Sequence, residues 1–345
     1  MVCTNLLEVG KMQKSKRNTL TVLLLIAITA IMCAAISVGG MLQSGMRVSA
    51  AATGWQGVSY YSDYSSQQET YEAGFALSKQ LAEEGYVLLK NEVSGIAERE
   101  GAKALPLASD TTKLNLFGRN SYDPETGGSG SAGSTMGEII TITGSLKNAG
   151  YTINPALEEF YNAQPKRVKP SSNRSFYFTG ETPQSDYPAS LADTYAEYGD
   201  VAVVTFTRSG GEGTDLSRAS FTTVEGSTSR NDAVAWPTRD EITSGTWTPK
   251  GGKGRENTPF AHYLELDENE LALLDMLQKN NDIKDVIVLI NTSNIMELGF
   301  LNDAKYSKIK SALWIPGGGV SGFDAIGKIL KGEVNPSGRT VDTHY

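Results

Sequence analysis

Two kinds of hydrophobic pattern alternate along this chain. Short, mostly apolar runs stand at Lys113–Phe117, Asp200–Phe206, Val286–Ile290 and Ser311–Ile315. Runs of this length without a polar face suit strands covered on both sides, as in a parallel sheet. Between them the apolar spacing turns helical. Ala73, Leu77 and Leu81 repeat at helical spacing in a pattern that begins at Glu72. Thr141–Ala149 reads as a helix ended by Gly150, and Ala192–Tyr198 and Ser321–Leu330 read as helices. Asp267–Lys279 is amphipathic, with Asp267 at the N-cap and Glu270 three residues on, the spacing of a capping box. Strands alternating with helices predict an α/β fold, a mostly parallel sheet sandwiched between helices. No internal repeat is visible. Residues 219–262 stand apart, being polar, aperiodic and rich in Thr, Ser, Gly and Trp. An insertion of that size in a compact domain is either a surface excursion or a lid.

The N-terminal pattern is different. No charge occurs between Asn18 and Met46, and Leu20–Val38 is almost wholly apolar. Such a run is long enough to cross a bilayer as a helix. Lys11, Lys14, Lys16 and Arg17 precede it, which orients the N-terminus to the cytoplasm. The expected organisation is a basic cytoplasmic start (1–19), a transmembrane anchor or signal segment (20–42), a polar linker (43–71) and a body (72–345). The body then lies outside, anchored to the membrane. It is secreted instead if the chain is cut at the small-x-small pattern Val48-Ser49-Ala50.

Charge and composition narrow the chemistry. The net charge is −8, and residues 1–50 carry +4, which leaves −12 on the remainder. So acidic a body is a poor partner for nucleic acid. Both cysteines, Cys3 and Cys33, precede the body, which excludes a disulfide framework or a thiol nucleophile there. With His262 and His344 the only histidines, nothing calls for a metal or an organic cofactor.

Three clusters could carry chemistry. Gly128, Ser129, Gly130, Ser131, Ala132 and Gly133 match G-x-G-x-x-G. The preceding strand ends near Phe117, too early for the tight strand-to-helix turn of a dinucleotide site, so a small-residue loop near a polar ligand is expected instead. Arg208 to Asp215 (RSGGEGTD) follows directly on a strand end, the edge where open α/β sheets bind ligands. Glu212 stands there between glycines, either as an exposed turn residue or as a carboxyl free to project into a cleft for acid/base work. Gly332–Arg339 (GEVNPSGR) is turn chemistry that stops the preceding helix.

Taken together, EGYVLLKN (84–91), LPL (105–107), LNLFGRNSYDPETGGSGSAG (114–133), RSGGEGTD (208–215), VIVLINTSNIMELGFL (286–301) and GEVNPSGR (332–339) resemble the α/β-sandwich domain of glycoside hydrolase family 3. The resemblance implies a retaining β-glycosidase, β-glucosidase-like, acting on a β-linked oligosaccharide or glycoside. It implies that Glu212 is the acid/base. Arg208, Asp215 and the run Gly128, Ser129, Gly130 and Ser131 are implied in substrate binding. Leu216 stands where the family often has Arg, so Asp215 reads as an orienting residue rather than a second catalytic group. The family's nucleophilic Asp belongs to a (β/α)8 barrel, and no segment of that kind occurs here. The barrel is thus an expected partner, placed second in a reversed domain order. An alternative is a non-catalytic exported carbohydrate-binding or interaction module, with Trp236 and Trp247 stacking on sugar rings.

Overall fold

The computed structural model describes residues 28, 62–127, 138–164, 181–208 and 264–343. The chain divides into two units, Met1–Ser65 and Ser66–Tyr345. The apolar segment 20–42 falls outside the described residues, apart from Ile28, and so does the insertion 219–262. Among the described residues no helix is long and apolar enough to cross a membrane.

The second unit begins with α1 (Gln67–Gly85), whose first turn is capped by Ser66 accepting from Glu69 N. The expected linker 43–71 is therefore too long at its C-terminal end. The first turn of α1 is wholly polar and reads as linker by hydropathy, yet its Ser66-x-x-Glu69 spacing is a helix start. The chain continues through β1 (Val87–Asn91), β2 (Lys113–Phe117), α2 (Arg119–Tyr122), α3 (Ile142–Asn148), β3 (Thr152–Ile153) and α4 (Pro155–Asn162). Then come α5 (Ala192–Tyr195), β4 (Val201–Arg208), α6 (Glu268–Lys279), β5 (Asp285–Thr292), β6 (Ile309–Trp314) and α7 (Asp324–Lys331).

The sheet order is β1-β6-β5-β4-β2-β3. β1 runs antiparallel to β6 and every other pairing is parallel. The central strands β4 and β5 are buried at every position, paired from Val201↔Asp285 to Arg208↔Thr292. This is the mostly parallel, doubly covered sheet that the apolar runs predict. The edges are less regular: β1 is only partly buried and β3 is two residues long.

The helical cover follows from connection handedness. α3 leads from β2 outward to β3, whereas α6 leads from β4 the other way to β5. Right-handed crossovers in opposite directions lie on opposite faces. On one face α7 packs against both α1 and α3. Gly327 of α7 permits the close approach to α3, since a Cβ there would collide with Ser145 O and lie 2.7 Å from Ala149 Cβ. Ser145 Oγ accepts from Gly327 N at 2.9 Å. Two ion pairs, Lys79–Asp324 at 2.8 Å and Lys328–Glu83 at 2.5 Å, stitch α1 to α7 along a partly exposed seam. α7 stops at Gly332, which takes a left-handed conformation (φ 79°), so the stop comes before Asn335-Pro336. The chain then returns to the start of the sheet, with Ser337 N donating to Glu84 O and Gly338 N to Tyr86 O.

Candidate active site

The strand order reverses between β2 and β4, because the chain goes out to β3 before crossing back. In open α/β sheets that reversal opens a crevice at the strands' carboxyl ends. Here those ends are Phe117 of β2 and Arg208 of β4.

At the β2 end the backbone turns on Gly118 (φ 88°) into α2. All four residues of α2 are buried. Ser121 Oγ stands 2.6 Å from Phe117 O and 2.7 Å from Thr205 Oγ1, which ties this turn to β4. The segment after α2 then crosses the carboxyl ends of β4, β5 and β6. Asn291, fully buried near the end of β5, holds it there. Its Oδ1 accepts from Glu125 N at 2.6 Å and Thr207 Oγ1 at 3.1 Å. Its Nδ2 donates to Glu125 O at 3.1 Å and Ile315 O at 3.0 Å. Gly319 N closes the same contact by donating to Thr126 O at 2.6 Å. Gly317 is required for this approach, because a Cβ there would stand 2.9 Å from Gly127 Cα.

At the β4 end, Arg208 is buried and grips Glu270 of α6 with both terminal nitrogens, at 2.8 and 2.7 Å. The same nitrogens donate to Thr207 O and Glu265 O. Glu270 also accepts from Asp267 N at 2.9 Å, and Asp267 accepts from the Asn269 and Glu270 N–H groups. The expected capping box is thus also the anchor of an ion pair. Burial works against the Arg208 charge, but the Glu270 carboxylate more than offsets it and holds the guanidinium ionised. A bidentate guanidinium–carboxylate pair of this kind fixes orientation as well as distance.

Of the expected site residues, Arg208 is described, and its contacts are with Glu270, Thr207 O and Glu265 O. Glu212, Asp215, Gly128, Ser129, Gly130 and Ser131 lie outside the described residues. Among the described residues no group of three or more His, Cys, Asp or Glu side chains could hold a metal ion. Hydropathy gave no role to Asn291 or Glu181. The signal for Asn291 was present, as a polar residue closing an apolar strand. Glu181 had none, being an isolated acid in an unassigned stretch.

Comparison with known proteins agrees with this fold. The chain matches the family model of the glycosyl hydrolase family 3 C-terminal domain over residues 86–345. It is 26% identical over 268 residues to β-glucosidase A of Butyrivibrio fibrisolvens, covering 77% of this chain and 28% of that protein. It is 27% identical over 92 residues to a β-glucosidase of Ruminococcus albus, covering 27% and 9%. Among solved structures it resembles β-glucosidase 3B from Thermotoga neapolitana in complex with glucose, with a TM-score of 0.51 and 20% identity. That likeness covers 78% of this chain and 30% of the other, and it bears on the fold. The chain thus spans less than a third of the length of the relatives it matches. With its mostly parallel sheet and a family match over most of its length, the chain belongs to glycosyl hydrolase family 3, whose C-terminal domain it carries.

Proposed function

We propose that this chain is the acid/base-bearing part of a retaining β-glycosidase, β-glucosidase-like, that removes terminal β-linked sugars. The observation that carries this is the rigid carboxyl edge of β4. Arg208 is locked to Glu270, and Glu212 follows four residues later in the chain. A carboxyl four residues beyond a strand end at the switch point is within chain reach of a ligand bound there, which supports the assignment.

Retaining hydrolysis uses two carboxyl groups about 5–5.5 Å apart. Glu212, protonated at first, gives its proton to the glycosidic oxygen as the bond to the leaving group breaks. An Asp of a (β/α)8 barrel, outside this chain, attacks the anomeric carbon and forms a glycosyl ester. Glu212, now ionised, takes a proton from water as that water opens the ester. The sugar leaves with its configuration retained and both carboxyls return to their starting states. The glycine run 128–133 and Asp215 contribute polar backbone and side-chain contacts to the sugar. Arg208 serves this site through the strand end it fixes. The basic and apolar N-terminal segments (1–42) tether the domain outside the membrane.

The test is Glu212→Gln in the gene product that contains this chain. Turnover of β-glucosides with poor leaving groups is expected to fall roughly 100-fold or more, the scale of a lost general acid. Turnover of activated aryl β-glucosides is expected to fall much less. Equal losses on both would remove Glu212 from the acid/base role. Saturable binding of cello-oligosaccharides by residues 51–345, with no hydrolysis by the whole gene product, would instead favour a carbohydrate-binding module.

A further inference from the structure

Glu181 is a buried ionisable group that the proposed reaction leaves unused. It is fully enclosed at the β2 side of the crevice. Its Oε2 accepts from Arg119 N at 2.9 Å and its Oε1 from Thr182 N at 2.7 Å. The carboxyl packs against the glycine of the β2–α2 turn, where a Cβ on Gly118 would stand 3.4 Å from Oε2. Thr182 beside it is buried with its hydroxyl unpaired. The groups that face Glu181 come from several elements. Arg119 of α2 favours its charge, whereas Glu270 of α6, itself paired with Arg208, opposes it. Tyr161 of α4 and Tyr187 face it as well, their hydroxyls 2.6 Å apart. Asp267 adds a further carboxyl on the Arg208 side.

We propose that Glu181 is a positioning residue of the crevice: its carboxyl latches residues 181–182 onto the Gly118–Arg119 turn, and so sets where the segment leading to the glycine run begins. The latch is operated by a proton. Burial, with Glu270 adding to it, pushes the carboxyl up to about 8 against the pull of the two backbone N–H groups and Arg119. Neutral, the group suits its enclosure and still accepts both N–H groups. Ionised, it is a buried charge with no ion pair to any described residue, facing Glu270. The folded value lies above the ordinary carboxyl value of 4.5, so folding favours the neutral form. The stabilising contribution is therefore fully present below the ordinary value and is lost as pH rises through about 8. The effect on turnover rests on the acid/base role of Glu212; the latch does not.

The experiment is an NMR titration of this chain from pH 5 to about 9.5, following the Glu181 carboxyl carbon and the Arg119 amide. Both are expected to move together, with one midpoint near 8. One unit above that midpoint the ionised form outnumbers the neutral one roughly tenfold. Arg119 amide exchange is expected to exceed that of Glu181→Gln there. Gln carries no charge and keeps one of the two acceptors. An Arg119 amide that stays flat, a transition that persists in Glu181→Gln, or a Glu181 carboxyl titrating in the ordinary range would overturn the latch. If Glu181→Gln does not fold, the wild-type titration alone decides. In the gene product, Glu181→Gln is expected to shift the alkaline limb of kcat with little change in KM. Absent glycosidase activity with a titrating Arg119 amide would overturn the proposed function and leave the latch standing. Activity with a flat amide would do the reverse.

Discussion

The seam between α1 and α7 and the carboxyl edge of β2 and β4 both rely on charged side chains, but in opposite ways. Along the seam, Lys79–Asp324 and Lys328–Glu83 lie over a packed helix contact with their lysines about a third exposed. Water and salt screen such pairs, and their removal leaves groups that water can satisfy. At the carboxyl edge, Arg208 and Glu270 are enclosed, as are Asn291 and Glu181. Buried polar groups contribute little net stability when paired, yet each is costly when orphaned. The seam therefore holds by shape, with charge as an accessory. The edge is held in one arrangement, because its alternatives leave buried groups unpaired.

The largest effect should come from breaking the buried pair on one side only. Arg208→Met leaves Glu270 enclosed without its cation and is expected to cost about 3–5 kcal/mol, measured by urea unfolding. The double variant Arg208→Met, Glu270→Leu should recover most of that loss. If the single variant were neutral, the contrast between edge and seam would collapse. An intermediate effect is expected from Asn291→Ala, which strips partners from Glu125 N and O and from Ile315 O. About 2–3 kcal/mol should be lost, with faster amide exchange at Glu125 as the local signature. The smallest effect belongs to the seam. Lys79→Ala should change stability by about 0–1 kcal/mol, and high salt should shrink the difference further. A loss as large as that at Arg208 would mean the seam is as intolerant as the edge.

What was legible in the sequence follows the same division. β4 and β5 are continuous apolar runs because both faces are covered, so hydropathy alone reveals them. The capping box of α6 was legible because it is a contact between near neighbours in the chain. β3 was missed because two residues carry no period, and β1 because an edge strand is only partly buried. The start of α1 was misplaced because its first turn has no apolar face. At the site, the motif singles out Arg208 but not the carboxyl it pairs with. Its partner is 62 positions away in the chain, a distance that no local pattern bridges. Asn291 likewise joins segments 166 positions apart.

The return of the chain after α7 carries a wider implication. Ser337 and Gly338 donate to the backbone carbonyls of Glu84 and Tyr86, so the thread enters and leaves the sheet at one spot. A sheet whose entrance and exit coincide, with α1 packed alongside as its lead-in, makes little demand on what joins it there. It can follow another domain, precede one or interrupt one without its interior being rebuilt. Portability of this kind is a property of the backbone path, separate from any chemistry at the opposite strand ends. It lets the order of domains in a multidomain protein change while the fold of each part stays the same.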